Sequence, residues 1–136
     1  MKTLLLRSMA LALLLTPAPV WAQSTATVAS GVKSQITTHM STDAQCNPFR
    51  VVIETLAAPA NGTLTSEPKD IVIPATTPRA GQQPSKCVGK TVAGVAIFYQ
   101  SKPGFVGQDS FRYRRSTPDR PGDRAAGEIG YTITVK

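Results

Sequence analysis

The chain has 136 residues, of which 41% are hydrophobic, 17% charged and 6% aromatic, so its length and composition fit one globular domain and exclude a disordered chain. Fifteen Lys and Arg against eight Asp and Glu give a net charge of +7, and a single His leaves little material for imidazole catalysis. These counts favour a basic, compact protein.

The first residues have the pattern of a secretory signal peptide. Lys2 and Arg7 precede an apolar run, Met9–Leu15, and the small-x-small sequence Val20-Trp21-Ala22 follows. The run is far shorter than the roughly 20 residues of a spanning helix, although an uncleaved N-terminal anchor is the alternative. We predict a signal peptide over 1–22, cleaved after Ala22, and a periplasmic or secreted domain over 23–136.

The early part of the exported domain shows strand signals in short segments. Alternating or β-branched residues predict strands at Thr25–Lys33, Gln35–Met40, Phe49–Leu56, Thr63–Ser66 and Asp70–Ile73. The sequence Pro59-Ala60-Asn61-Gly62 predicts a chain reversal, with the Asn-Gly pair suited to positive φ. Helix signals are scarce because Pro and Gly interrupt every helical period.

Three later segments give the clearest strand patterns. Val92–Gln100 is apolar on both faces, as a central strand requires, whereas Ser110–Arg115 and Glu128–Lys136 alternate with a period of two and should pair as antiparallel neighbours. The polar segment Pro74–Lys90 predicts a long loop. This pattern predicts an all-β protein, an immunoglobulin-like antiparallel β-sandwich, with a small β-barrel as the alternative.

Two cysteines allow a single intramolecular pair. In an oxidising compartment we expect a disulfide between Cys46 and Cys87, and closing so long a loop would stabilise the fold by roughly 4 kcal/mol. A catalytic thiol or a metal pair is the alternative, but His39 lies seven residues from Cys46 and no C-x-x-C occurs. The sequence therefore favours a structural bridge.

One stretch carries a family resemblance. The sequence FYQSKPGFVGQDSFRY at Phe98–Tyr113, preceded by APANGTLT at Ala58–Thr65, resembles bacterial immunoglobulin-like and cadherin-like modules. The resemblance implies the sandwich fold but little about function, because such modules serve as stalks, enzyme appendages and free-standing envelope proteins. The residues that carry the second part of the motif are Pro103, Gly104, Phe105, Gly107, Asp109, Phe111 and Tyr113.

The motif also has a physical interpretation. Pro103-Gly104 makes a tight turn, Phe105 plugs the end of the core, and Gly107 lets the chain bend into the following strand. The spacing of Tyr113 from Asp109 suits a tyrosine corner, in which the hydroxyl bonds to nearby backbone. Asp109 as a calcium ligand is the functional alternative, but the D-x-N-D-N cluster of calcium-binding relatives is missing.

The residues give no catalytic constellation. His39 sits in a Thr-rich segment and is expected to be a polar surface residue, the carboxylates are scattered, and no phosphate-binding glycine loop occurs. We expect no catalytic residues, no metal and no cofactor.

The strongest binding signal is a basic segment near the C-terminus. The segment contains two aspartates and five arginines, which are Arg112, Arg114, Arg115, Arg120 and Arg124. This excess of guanidinium groups suits anion binding. The alternative is a solvated edge on which arginines and aspartates pair with each other. No recognition helix or stacking platform suggests nucleic acid.

Together these features predict a non-enzymatic exported module with a binding or structural role in the cell envelope or extracellular space. The expected partner is an envelope protein or an anionic envelope polymer, contacted through strand edges and the loops Pro74–Lys90 and Ser116–Gly127. A small exported enzyme or enzyme inhibitor with a loop-built site is the alternative, which a deep pocket joining His39 to carboxylates would favour. The oligomeric state stays open.

Overall fold

The computed structural model describes residues 23–75, 85–122 and 127–136, and their secondary structure is entirely β. Seven strands follow one another along the chain: β1 (Gln23–Val28), β2 (Ser34–His39), β3 (Val52–Ala57), β4 (Gly62–Val72), β5 (Thr91–Ser101), β6 (Gly107–Ser116) and β7 (Gly127–Val135). The predicted signal peptide lies outside the described residues.

The strands form two sheets that pack face to face. One sheet has four strands in the order β1-β7-β6-β3, and the other has three in the order β2-β5-β4. The predicted sandwich is therefore confirmed, and the described strands do not close into a barrel. The predicted pairing of the two C-terminal segments is also confirmed, since β6 and β7 are antiparallel neighbours.

One strand pairing differs from the expected all-antiparallel sheets. β1 runs parallel to β7, with Gln23 opposite Gly130 and Val28 opposite Val135. The connection from β1 leads to β2 in the other sheet, so β1 can lie alongside the last strand without a hairpin. The four-stranded sheet is consequently mixed.

The sheet order places the chain connections at two ends of the sandwich. The β2–β3, β4–β5 and β6–β7 connections lie at one end, which we call the disulfide end because Cys46 and Cys87 belong to it. The β1–β2, β3–β4 and β5–β6 connections lie at the other, the turn end. Each end therefore gathers residues that are far apart in sequence.

Aromatic side chains fill the space between the sheets. Phe111 stacks on Tyr99 and Tyr113, with ring centroids 6.2 Å away in each case, and on Tyr131 at 5.5 Å. Tyr99 and Tyr113 are fully buried, and Ile97, Ile133 and Val135 complete this core. The inward positions are those that the period-two pattern predicts.

A second, smaller cluster lies at the disulfide end. Cys46 and Cys87 form the predicted disulfide, with their Cα atoms 5.5 Å apart, and pack with Ile73 and Val92. Met40 covers the cluster from the end of β2. The disulfide thus ties the β2–β3 connection to the β4–β5 connection.

The β3–β4 turn reverses the chain as predicted, but for a different reason. Neither Asn61 nor Gly62 has a positive φ, so the expected left-handed Asn-Gly geometry is wrong. The turn instead carries the chain from one sheet to the other. Gly62 is needed for space, because a Cβ there would lie 2.6 Å from the Gln100 carbonyl oxygen and from the Tyr99 ring.

The two short strands predicted around Pro68 are one continuous strand. β4 runs through 11 residues, and Pro68 lies opposite Val95 of β5. A proline fits here because β4 is an edge strand, which does not need every backbone N–H for pairing.

Candidate functional site

The most densely bonded polar group described is the carboxylate of Asp109, near the start of β6. One oxygen accepts hydrogen bonds from the backbone N–H groups of Ala60 (3.0 Å) and Ser110 (2.9 Å). The other accepts from the N–H of Asn61 (3.0 Å) and from the hydroxyl of Tyr99 (2.9 Å). Asp109 therefore fastens the β3–β4 turn to β5 and β6.

The electrostatics of Asp109 fit this structural role. Burial alone would raise the pKa of the carboxyl, but the hydrogen bonds from Tyr99 and the three backbone amides outweigh burial and lower the pKa. Burial raises the pKa of the Tyr99 hydroxyl, and its hydrogen bond to Asp109 raises this pKa further. Because four donors occupy the carboxylate, it is a structural acceptor rather than a calcium ligand.

The predicted tyrosine corner at Tyr113 is wrong. The Tyr113 hydroxyl lies 2.7 Å from Nε2 of His39, a residue of the opposite sheet, rather than beside nearby backbone. His39 is half-buried and not the expected surface residue, and burial followed by the charge of Arg115 lowers its pKa. The His39–Tyr113 pair thus links the two sheets through their side chains.

The glycines and the phenylalanine of the motif shape the β5–β6 turn. Gly104 and Gly107 have φ values of +77° and +136°, a region that side chains disfavour. After Pro103, the N–H of Phe105 donates to the Lys102 carbonyl at 3.1 Å, and its ring packs against the core. The turn and plug interpretation of this segment agrees with these contacts.

Arg112 and Arg114 point outward from β6 and lie between glutamates of the neighbouring strands. Arg114 pairs with Glu54 of β3 and with Glu128 of β7, at 3.2 Å in each case. Arg112 lies 3.7 Å from Glu128. Both arginines are therefore partly neutralised, and by glutamates that the sequence pattern did not single out.

The other candidate arginines have separate surroundings. Arg115 points inward and donates to the Met40 carbonyl at 3.0 Å. Arg120 lies in the exposed β6–β7 connection, and Arg124 lies outside the described residues. Asp119 pairs with Arg50 at 3.2 Å, so it bonds across to another connection rather than to an arginine of its own segment.

The five candidate arginines therefore do not form one patch. Arg112 and Arg114 belong to the outer face of the four-stranded sheet, whereas Arg115 and Arg120 belong to the disulfide end. Among the described residues, no three His, Cys, Asp or Glu side chains come together as a metal site would require.

Comparison of the chain with protein-family models, with curated proteins and with solved structures finds no match in any of the three. Within the described part of the chain, no helix has the length and apolar character needed to cross a membrane.

Proposed function

We propose that this chain is a non-enzymatic, exported module of the immunoglobulin-like type that binds an anionic polymer of the cell envelope. The strand order supports the type, because β3, β6 and β7 lie opposite β2, β5 and β4, as the corresponding strands do in immunoglobulin domains. The observation that carries the binding role is the convergence of three connections at the disulfide end.

In immunoglobulin variable domains, loops at one end of the sandwich form the binding surface. Here the β2–β3, β4–β5 and β6–β7 connections lie together at the disulfide end. The Cys46–Cys87 bridge holds two of them to each other, and Arg50 pairs with Asp119 between the first and the third. The residues that these two contacts join lose little conformational entropy on binding.

The charge of these connections favours an anionic partner. The β4–β5 connection carries Arg79, Lys86 and Lys90 and no carboxylate. The β6–β7 connection is balanced in charge, with Arg120 and Arg124 against Asp119 and Asp123, so the excess of cations comes from the β4–β5 connection. Arg112 and Arg114 contribute less, because Glu54 and Glu128 neutralise them where they stand. Guanidinium and ammonium groups pair with the phosphate or carboxylate groups of such a polymer.

Retention on immobilised lipopolysaccharide at low salt tests this proposal. We expect a loop variant to elute at clearly lower salt than the unchanged protein, and a control with the same change in charge elsewhere to elute with the unchanged protein. The loop variant is Lys86→Gln, Lys90→Gln and Arg120→Gln, and the control is Lys69→Gln, Lys102→Gln and Lys136→Gln.

Two results contradict the proposal. In the first, the unchanged protein passes through the column without retention. In the second, the loop variant and the control lose retention equally, which would indicate attraction by net charge alone. A third variant, Arg114→Gln, should elute close to the unchanged protein because this arginine already pairs with two glutamates.

Export is the second part of the proposal and rests on the pattern of residues 1–22. The Cys46–Cys87 disulfide supports it, since such bonds persist in oxidising compartments. N-terminal sequencing of protein recovered from the periplasm or medium should begin at Gln23. Recovery of the intact chain from the reducing cytoplasm alone would contradict export.

A further inference from the structure

The outer face of the four-stranded sheet is divided into a charged half and a neutral half. Towards the disulfide end, Glu128 of β7 lies opposite Arg114 of β6. Towards the turn end, Thr132 lies between Thr25 of β1 and Ser110 of β6. The border between the halves falls at a glycine of β7.

That border glycine is Gly130. It lies between Gln23 of β1 and Arg112 of β6, and a Cβ on it would lie 3.5 Å from the Arg112 side chain and 3.7 Å from that of Gln23. Gly130 therefore leaves an open position between these two side chains. From Gly130 towards the turn end, β7 carries no further ionic side chain, so the neutral half begins at this position.

A depression of about 380 Å³ occupies the neutral half, and we call it the polar basin. β3 ends at Ala57, so the β3–β4 turn, fastened by Asp109, stands beside β6 as the wall of the basin. Its lining consists of Gln23, Ala60, Asn61, Gln108, Asp109, Ser110 and Thr132.

Most side chains of this lining are neutral hydrogen-bonding groups. The amides of Gln23, Asn61 and Gln108 each offer donors and an acceptor, and the hydroxyls of Ser110 and Thr132 offer both as well. Asp109 carries the one ionisable side chain among the described lining residues and already accepts from four donors, and cleavage after Ala22 would add the α-amino group of Gln23 at the edge of the basin. Among the described residues, no Lys, Arg or Glu lines the basin.

We propose that the polar basin binds a neutral oligosaccharide. Sugar hydroxyls donate and accept hydrogen bonds without carrying charge, so they match amide and hydroxyl groups one for one and do not require the burial of an ion. The volume lies within the range of small-molecule sites, and its open shape fits part of an extended chain. The experiment is designed for weak binding, with an expected Kd of about 1 mM.

This inference extends the proposed binding role but uses different residues. The anionic polymer is assigned to the cationic connections at the disulfide end, whereas the oligosaccharide is assigned to the opposite half of the sheet face. The two can therefore fail separately.

A titration followed by backbone amide chemical shifts tests the inference. The exported protein is titrated with the neutral hexamers of glucose and of N-acetylglucosamine, and separately with a hyaluronate hexamer as an anionic probe. We expect at least one neutral hexamer to shift the amides of Asn61, Gln108, Ser110 and Thr132 in a saturable manner.

Two variants locate the site. Ser110→Lys places a long charged side chain in the basin at an exposed position and should weaken the binding of the neutral hexamer at least tenfold. Thr63→Lys introduces the same charge at an exposed position of β4 in the opposite sheet and should leave it unchanged.

Three results would overturn the inference. In the first, neither neutral hexamer shifts any amide at ligand concentrations up to about 20 times the expected Kd. In the second, the shifted amides lie outside the basin. In the third, the Ser110→Lys variant binds the hexamer as well as the Thr63→Lys variant does. Shifts produced only by hyaluronate, and only at the disulfide end, would support the anionic proposal and overturn this one.

Discussion

Replacing Asp109 with alanine removes the acceptor for four hydrogen bonds and leaves the Tyr99 hydroxyl, which is fully buried, without its partner. An unsatisfied buried donor costs about 1–3 kcal/mol. The amides of Ala60 and Asn61 are less buried and water can reach them, so they add less. We expect Asp109→Ala to lower the free energy of unfolding by about 3–5 kcal/mol, because hydrogen bonds to a charged group contribute about 1.5–3 kcal/mol each.

Urea unfolding followed by tyrosine fluorescence measures this loss. With a slope of about 1–3 kcal/mol per molar urea, the midpoint should fall by roughly 2 M. Tyr99→Phe should cost only about 1 kcal/mol, because the carboxylate keeps three backbone donors. The double variant should be less destabilised than the sum of the two, since both remove the same bond.

The pH dependence gives a second readout of Asp109. Its pKa is lowered in the folded state, so its contribution to stability is present above about pH 4, the ordinary value of the unfolded carboxyl, and is lost as pH falls through the lowered pKa. The deficit of Asp109→Ala should therefore shrink in acid. A loss below about 1 kcal/mol at pH 7 would refute the view that this carboxylate fastens the turn.

Three further predictions concern other parts of the fold. Replacing Cys46 and Cys87 with serine opens a loop of 41 residues and should lower the free energy of unfolding by roughly 4 kcal/mol, measured by urea unfolding against the oxidised parent protein, whereas the reduced parent should unfold like the variant. Burial and a nearby arginine lower the pKa of His39 in the fold, so stability should fall as pH drops from about 7 towards 5; His39→Gln should lack this slope, and an unchanged slope would contradict the assignment. Gly62→Ala brings a Cβ to 2.6 Å from backbone and ring atoms of β5 and should cost about 1–3 kcal/mol in thermal unfolding, whereas no loss would show that the turn can shift freely.

The strands were predictable where one face is buried. Ser110–Arg115 and Glu128–Lys136 alternate because every second residue enters the core, so their patterns predicted both the strands and their proximity. β4 was predicted as two pieces because Pro68 usually interrupts strands. Only the sheet order shows that β4 is an edge strand, where a proline costs little.

The site was less predictable because its contacts join residues distant in sequence. Asp109 accepts hydrogen bonds from the backbone amides of Asn61 and Ala60, which lie 48 and 49 positions earlier. No local spacing indicates that the hydroxyl of Tyr99, rather than that of Tyr113, donates to this carboxylate. Tyr113 instead meets His39, 74 positions away and in the other sheet. The disulfide was predictable, because two cysteines leave one pairing.

The arginine segment shows the same limit. Sequence shows the excess of cations, but the partners of Arg112 and Arg114 are glutamates on the neighbouring strands, and these become visible only with the register of the sheet. Alternation predicted that both arginines point outward. It did not predict that they would be paired there.

Binding at the disulfide end can be located by recording amide chemical shifts in the presence of a soluble polysaccharide from lipopolysaccharide that bears phosphate groups. We expect salt-sensitive shifts within the β2–β3, β4–β5 and β6–β7 connections, at residues 40–51, 85–90 and 117–122. Shifts confined to the turn end, or none at low salt, would contradict it.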